Sequence, residues 1–312
     1  MKVLIIGSSG FIGSHLVDEF KSKGYEVVCC DLKASYNTVA MDIMNLNMVT
    51  DILMKYKPDI LINMAGQANV ALSWKKPQLT LQLNTIGLIN ILESVKKINS
   101  RIRVIAVGSS DEYGNLEAQG VNVTEDIPIN PITPYAISKQ AQELFAKLYN
   151  KNYKMDICML RLFNLGGPGQ TKGYMISDFA SGVAEVEVGK KEFITVGNLE
   201  SARDFTHVKD ACQAIRLVAE KGHTGEVYNI SSGITYKARE ILDKLIKIAG
   251  INIEIKQNCE KMRPNDTPVI CGNHDKLTAH TGWVPTRNID KILVDALTYW
   301  RVQTEQNRRL LL

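Results

Sequence analysis

The sequence predicts an α/β protein: a doubly wound parallel sheet with a smaller, interleaved carboxyl-terminal substrate unit. Three observations carry this. Short apolar runs at residues 2–6, 25–30, 59–64, 103–107 and 156–160 alternate with amphipathic stretches of helical period. Continuous Val/Ile/Leu runs of that length suit strands buried on both faces, and the alternation suits parallel strands joined by crossover helices. The first run enters Gly7-Ser8-Ser9-Gly10-Phe11-Ile12-Gly13 and then an amphipathic stretch to Lys23, a strand, glycine turn and helix in series. After Arg161 the alternation stops and polar, glycine-rich segments take over, yet residues 227–230 read as one more strand of the first sheet. The expected division is 1–165 with 203–231 returning to it, and a second unit from 166–202 and 232–312.

Taken in order, the glycine turn has a distinct use for each glycine. Gly7 permits the tight turn, Gly10 lets a pyrophosphate reach the backbone, and Gly13 lets helix and strand pack closely. Phe11 and Ile12 open the helix, whose unpaired N–H groups and positive dipole end favour an anion. The spacing is Gly-x-x-Gly-x-x-Gly, a variant of the dinucleotide fingerprint of Rossmann-like sheets. The second strand ends at Asp31, where a carboxylate accepts both hydroxyls of an adenosine ribose and repels a 2′-phosphate. NAD(H) is therefore favoured, and Lys33 keeps NADP(H) open. Asp42 and Ile43 are expected beside the adenine. The turn Ala65-Gly66-Gln67-Ala68 suits backbone contact with the cofactor, through Ala65 and Gln67.

Residues 78–97 read as a helix with Asn84 inside it. The fourth strand runs into Gly108-Ser109-Ser110-Asp111-Glu112-Tyr113-Gly114, a polar cluster at the strand's carboxyl end, where such sheets bind ligands. In Pro134-Tyr135-Ala136-Ile137-Ser138-Lys139 one helical turn separates Tyr135 from Lys139, so both project from one face. An ammonium beside a phenol lowers its pKa and makes Tyr135 a proton donor and acceptor near neutral pH. Beyond Arg161 the expectations are a loop at 162–170, helices at 174–188, 207–221, 237–249 and 288–301, an irregular segment at 197–205, and a loop at 262–266.

Across 312 residues the composition is 45% hydrophobic and 22% charged, enough for a sizeable core. The net charge of +4 is too balanced to suggest nucleic acid or a membrane surface. Six scattered cysteines without a Cys-x-x-Cys pair read as reduced thiols. No run is long enough to span a bilayer, no signal-peptide pattern opens the chain, and no metal-ligand spacing is present. A cytoplasmic protein is expected.

Gly7/Gly10/Gly13, Ser109 four residues before Tyr113, and Tyr135/Lys139 together resemble the extended short-chain dehydrogenase/reductase (epimerase/dehydratase) family, over essentially the whole chain. The resemblance implies hydride transfer between a nicotinamide and C4 of a nucleotide-linked hexose. It implies Tyr135 as acid/base on the C4 oxygen, Ser109 bonded to the same oxygen, Lys139 on the nicotinamide ribose, and Asn84 in a structural role. Arg161-x-Phe163-Asn164-x-x-Gly167-Pro168-Gly169-Gln170, Gly197-Asn198-Leu199-Glu200-x-x-Arg203-Asp204-Phe205, and Arg263-Pro264 with Thr281-Gly282-Trp283 are most similar to the GDP-mannose branch. Ser110, Asn164, Gln170, Arg203 and Arg263 are accordingly expected on the nucleotide sugar, the arginines by bidentate phosphate contact. The competing arrangement is an ion pair of these arginines with Asp204 or Asp266.

Dehydratases of the family carry Glu where this chain has Asp111, one methylene shorter. That favours a reductase of a GDP-linked 4-keto-6-deoxyhexose, with a 4,6-dehydratase or a 4-epimerase as alternatives and an inactive cofactor-binding regulator as a remote one. Leu79, Leu83, Ile86, Ile89 and Leu92, with Ile137, Ala141, Leu144 and Leu148, give two helices more apolar surface than a sheet needs. A homodimer through these helices is expected, as the resemblance also implies.

Overall fold

The computed structural model describes residues 1–98, 101–116, 122–258 and 269–309. Seven strands form one sheet, in the order Val227–Ile230, Ile157–Leu162, Arg103–Ser109, Ile60–Asn63, Lys2–Ile6, Glu26–Asp31 and Val39–Ala40. Every neighbouring pair is parallel. The chain winds outward from Lys2–Ile6 to one edge, then returns to build the other side from Ile60–Asn63. Such a reversal opens a crevice at the strands' carboxyl ends.

Because side chains alternate along a strand, Lys2–Ile6 feeds two cores. Val3 and Ile5 join the one under helices Phe11–Ser22 and Val208–Lys221. Leu4 and Ile6 join the one under Leu46–Tyr56, Gly87–Ile98 and Pro134–Tyr153. A third core joins Met175–Glu187, Ala238–Ala249 and Ile289–Arg309.

Four features differ from the sequence expectation. The helix expected at 78–97 is broken into Pro77–Leu81, a π turn Gln82–Ile86, and Gly87–Ile98. The wider turn presents Asn84 inward, where its side chain is fully engaged. Residues 197–205, expected to be irregular, contain most of the strand Ala202–His207. It pairs in parallel with Asn164–Gly166 and Val269–Gly272 and antiparallel with Thr235–Lys237. Its polarity hid it: Asp204 is buried and accepts from the Ser232, Gly233 and Gly272 backbone N–H groups and the Ser232 hydroxyl.

A short helix, Asp275–Thr281, went unanticipated. It packs on Val208–Lys221, and Leu277 and Trp283 enter the first core, with Trp283 Nε1 donating to the Asp210 carbonyl at 3.0 Å. The fourth difference lies in Pro134–Tyr153. Its buried face is the polar one, with Tyr135, Ser138, Lys139, Gln142 and Glu143. Ile137, Leu144 and Leu148 of the apolar stripe face outward.

Candidate active site

The glycine turn has the shape a dinucleotide needs. Gly7 sits at φ +80°, and a Cβ there would come within 2.8 Å of the Ala65 nitrogen. A Cβ on Gly13 would fall 2.0 Å from the Gly7 carbonyl oxygen. Both positions are closed to any side chain, and the backbone stays bare. Gly10 caps Phe11–Ser22, whose first turn carries no acidic residue, so the positive end of the helix faces the turn uncompensated. Phe11 and Ile12 are half-buried at that end.

Asp31 closes one side. Its carboxylate accepts from the Ser9 N–H at 2.9 Å and from the Leu32 N–H at 2.7 Å, which places it on the rim of the glycine turn. Asp42 is half-buried and caps its own turn by accepting from the Met44 N–H. Ile43 packs in the core against Gly87, and its carbonyl accepts from Asn90. Ala65 and Gln67 flank the turn after Ile60–Asn63. The Gln67 amide is spent inside the fold, donating to Thr80 Oγ1 and the Asn69 carbonyl at 2.9 Å each, so only the backbone of 65–67 fronts the crevice.

Ser109 ends the central strand Arg103–Ser109 and caps the 3-10 turn Ser110–Tyr113, accepting from the Asp111 N–H at 3.2 Å. Tyr135 stands in the first turn of Pro134–Tyr153, which Thr133 caps by accepting from the Ala136 N–H. The Ser109 side chain lies close enough to the Tyr135 phenol to lower its pKa. Ser110 is buried beside them, and Asp111 is half-buried within electrostatic range of Tyr135.

The expected effect of Lys139 on Tyr135 is corrected. Burial, and then the Asp111 charge, push the Tyr135 phenol up, and the nearby Ser109 side chain pulls it back only in part. Lys139 Nζ donates to the Val107 carbonyl at 2.7 Å and Gln142 Oε1 at 3.3 Å rather than to Tyr135. Burial brings Lys139 itself down to about 8. Sequence spacing put the two residues on one face but could not show that the ammonium is held by the strand below.

Of the expected sugar-nucleotide residues, Asn164 and Arg203 lie on the second sheet and Gln170 on the loop after Asn164–Gly166. Asn164 is half-buried, with its amide toward the Asp204 carbonyl at 3.4 Å. Gln170 is buried and donates to the Leu165 carbonyl at 3.0 Å. Arg203 lies mid-strand opposite Tyr236 and Ile270, donating to the Ala202 carbonyl at 2.9 Å. Asp204, the competing partner for Arg203, is already occupied by its four donors. Arg263 and the 262–266 loop fall outside the described residues, as does Cys259.

Sequence reasoning passed over Tyr174, Glu112 and Gln142. Tyr174 acts electrostatically on Tyr135 from the start of Met175–Glu187, and nothing in the sequence marks it. Glu112 had a signal, because Ser109-x-x-Glu112 has the spacing of a capping box. Gln142 lies one turn beyond Lys139 on the same face.

The model of the family described as GDP-mannose 4,6 dehydratase matches residues 4–296. The chain belongs to that family. A GDP-6-deoxy-D-mannose reductase from Pseudomonas aeruginosa is 29% identical over 98% of this chain and 99% of its own length. A GDP-6-deoxy-D-talose 4-dehydrogenase from Aggregatibacter actinomycetemcomitans is 31% identical over 89% of this chain and 90% of its own. The solved structure of RMD from Pseudomonas aeruginosa complexed with NADPH is 28% identical and superposes with a TM-score of 0.86, covering 97% of this chain and 99% of the other. The reductase and the solved structure cover nearly all of this chain, and the dehydrogenase most of it.

Proposed function

We propose that this protein is a nucleotide-sugar oxidoreductase that reduces the C4 ketone of a GDP-linked 4-keto-6-deoxyhexose. The observation that carries the reading is the proximity of the Ser109 side chain to the Tyr135 phenol at the carboxyl end of the central strand. Two hydroxyl donors converge where an oxygen gaining alkoxide character would need them. The family and its reductase relative supply the substrate class.

The glycine turn would hold a nicotinamide dinucleotide, which when bound would supply the hydride. Tyr135 donates its proton to the C4 oxygen as charge builds there, and Ser109 donates a hydrogen bond to the same atom. The high proton affinity of the phenol suits a group that starts the step protonated. Lys139 is proposed to bind the nicotinamide ribose, and the Ala65–Gln67 backbone to line its path. The bare helix end would hold the pyrophosphate, and Asp31 would accept the adenosine ribose hydroxyls, which favours NADH. Asn164, Gln170, Ser110, Arg203 and Arg263 are proposed on the nucleotide sugar.

Asp111 occupies the position where a dehydratase would keep its longer Glu base, and this supports reductase over dehydratase. The 4,6-dehydratase and 4-epimerase remain as second readings because they use the same pair of hydroxyls. The intact Ser109, Tyr135 and Lys139 argue against an inactive regulator.

The chain is further proposed to be cytoplasmic. Among the described residues no helix is long and apolar enough to cross a membrane. It is proposed to divide at the boundaries expected from sequence and to form a homodimer through the outward apolar faces of Pro134–Tyr153 and the 77–98 region.

The test is to incubate the protein with GDP-mannose and NAD, and separately with a GDP-linked 4-keto-6-deoxyhexose and NADH. Consumption of NADH with formation of a 6-deoxyhexose is expected in the second mixture only. A 4-keto product from the first would make the protein a dehydratase.

A further inference from the structure

Glu112 is fully buried beneath the site, and its two carboxylate oxygens are treated differently. Oε1 accepts from the Ser109 N–H at 2.7 Å. Oε2 is buried without a hydrogen-bond partner among the described residues. The fit is tight: a Cβ on Gly108 would lie 2.4 Å from Oε1, so the glycine before Ser109 makes room for this carboxyl.

The neighbouring carboxylate is compensated. Glu143 receives Arg161 Nε at 2.9 Å, Arg161 Nη2 at 2.8 Å and Lys147 Nζ at 2.7 Å. Arg161 also donates to the Tyr113 hydroxyl at 2.8 Å. Among the described residues the hydrogen-bond acceptors of Lys139 are neutral, the Val107 carbonyl and Gln142 Oε1. The carboxyl acting on it electrostatically is Glu112. The groups acting on Glu112 are Lys139, Glu143 and Tyr135 from the helix and Arg161 from the adjacent strand, with Asp111 and Tyr113 beside it in the chain.

We infer that Glu112 is a positioning residue for the site, one oxygen fixing Ser109 through its backbone and the carboxyl's charge holding the proton on Lys139. The inference rests on the reading of Tyr135 and Lys139 as parts of the reaction site. Capping the turn needs one acceptor oxygen, and Glu112 buries a second, unpartnered one besides.

Burial and the nearby Glu143 charge push the Glu112 carboxyl well above the usual carboxylate range. Its ionisation therefore comes at a higher pH than that of an ordinary carboxylate. Each charge favours the other: the negative charge on Glu112 favours the ammonium, and the ammonium favours the carboxylate. The site thus retains a cation at Lys139 to a higher pH than burial alone would allow.

The test uses the full chain, with ¹³C-carboxyl-labelled glutamate and ¹³Cε-labelled lysine followed by NMR through a pH titration. One glutamate is expected to titrate well above the others and to be missing in Glu112→Gln. In that variant Lys139, identified by its absence in Lys139→Met, should titrate lower by about half a pH unit or more. No glutamate titrating outside the ordinary range would overturn the inference. So would a Lys139 titration unchanged in Glu112→Gln, which would leave a pure cap. If Glu112→Gln fails to fold, the titration of the parent protein still decides. Neither measurement uses substrate, so failure here is separate from failure of the reductase reading, which turnover assays test.

Discussion

The Asn84 amide donates to Ser138 Oγ at 2.8 Å and to the Gln67 carbonyl at 3.0 Å, while its oxygen accepts from the Gln67 N–H at 2.8 Å. One side chain, presented by a π turn, thereby joins the cofactor-facing turn to the helix bearing Tyr135 and Lys139. Thr85 Oγ1 adds a bond to the Ser138 carbonyl at 2.9 Å. π turns inside helices are frequent at functional sites.

Asn84→Ala should strip three buried bonds and leave Gln67 and Ser138 groups unpaired. The expected loss is about 1–3 kcal/mol in urea unfolding, from the cost of orphaned buried polar groups. Turnover should fall too, because Lys139 follows Ser138 in the chain. Parental stability would show that the π turn does not hold the helix.

Lys139 supplies a pH signature of stability. Its folded value of about 8 lies below its ordinary 10.5. Between these values the unfolded chain binds the proton more readily, so this group's contribution makes stability rise with pH across that window. Below it, folding bears the cost of a buried ammonium. Tyr135 and Glu112 are both shifted upward and slope the other way, Tyr135 at higher pH and Glu112 at lower. The clean measurement is therefore the difference between parent and Lys139→Met urea midpoints across that window. The parent should gain relative to the variant as pH rises, and a constant difference would contradict the burial of a charged Lys139.

Asp31 is the cofactor discriminator in this account. Asp31→Ala should weaken NADH binding by roughly tenfold or more, the scale of hydrogen bonds to a charged group. It should also narrow the gap to NADPH. Fluorescence titration of both cofactors checks it. The Pseudomonas aeruginosa relative was solved with NADPH, so equal affinities in the parent protein would show that Asp31 does not discriminate here.

Much of the fold was legible because it depends on patterns with a local cause. Buried parallel strands announce themselves as apolar runs, and the glycine turn is forced by contacts no side chain could make. What escaped were elements whose polarity is satisfied at long range. Ala202–His207 reads as polar because Asp204 finds its donors 28 and 68 positions away. The site was half legible. Spacing placed Tyr135 and Lys139 on one face, but Lys139's partner is 32 positions upstream on a neighbouring strand, and no spacing rule reaches that far.

The same helix bears on assembly. Ile137, Leu144 and Leu148 are 51%, 56% and 47% exposed while its polar face is buried. An inverted amphipathic helix leaves an apolar stripe to be covered, and a second copy of the helix would cover it. Light scattering should give twice the 34.8 kDa chain mass, falling to one chain in Ile137→Glu combined with Leu144→Glu. A parent protein that scatters as a single chain at micromolar concentration would contradict the dimer.

The most direct test of the central claim is single-turnover hydride transfer from C4-deuterated NADH to a GDP-linked 4-keto-6-deoxyhexose, in the parent protein and in Tyr135→Phe. Deuterium should appear at C4 of the sugar. The variant should be slower by roughly 10²–10⁴-fold, the range for positioned general acid catalysis, with cofactor affinity nearly unchanged. Near-parental transfer by Tyr135→Phe, or a parent product without deuterium at C4, would contradict the account.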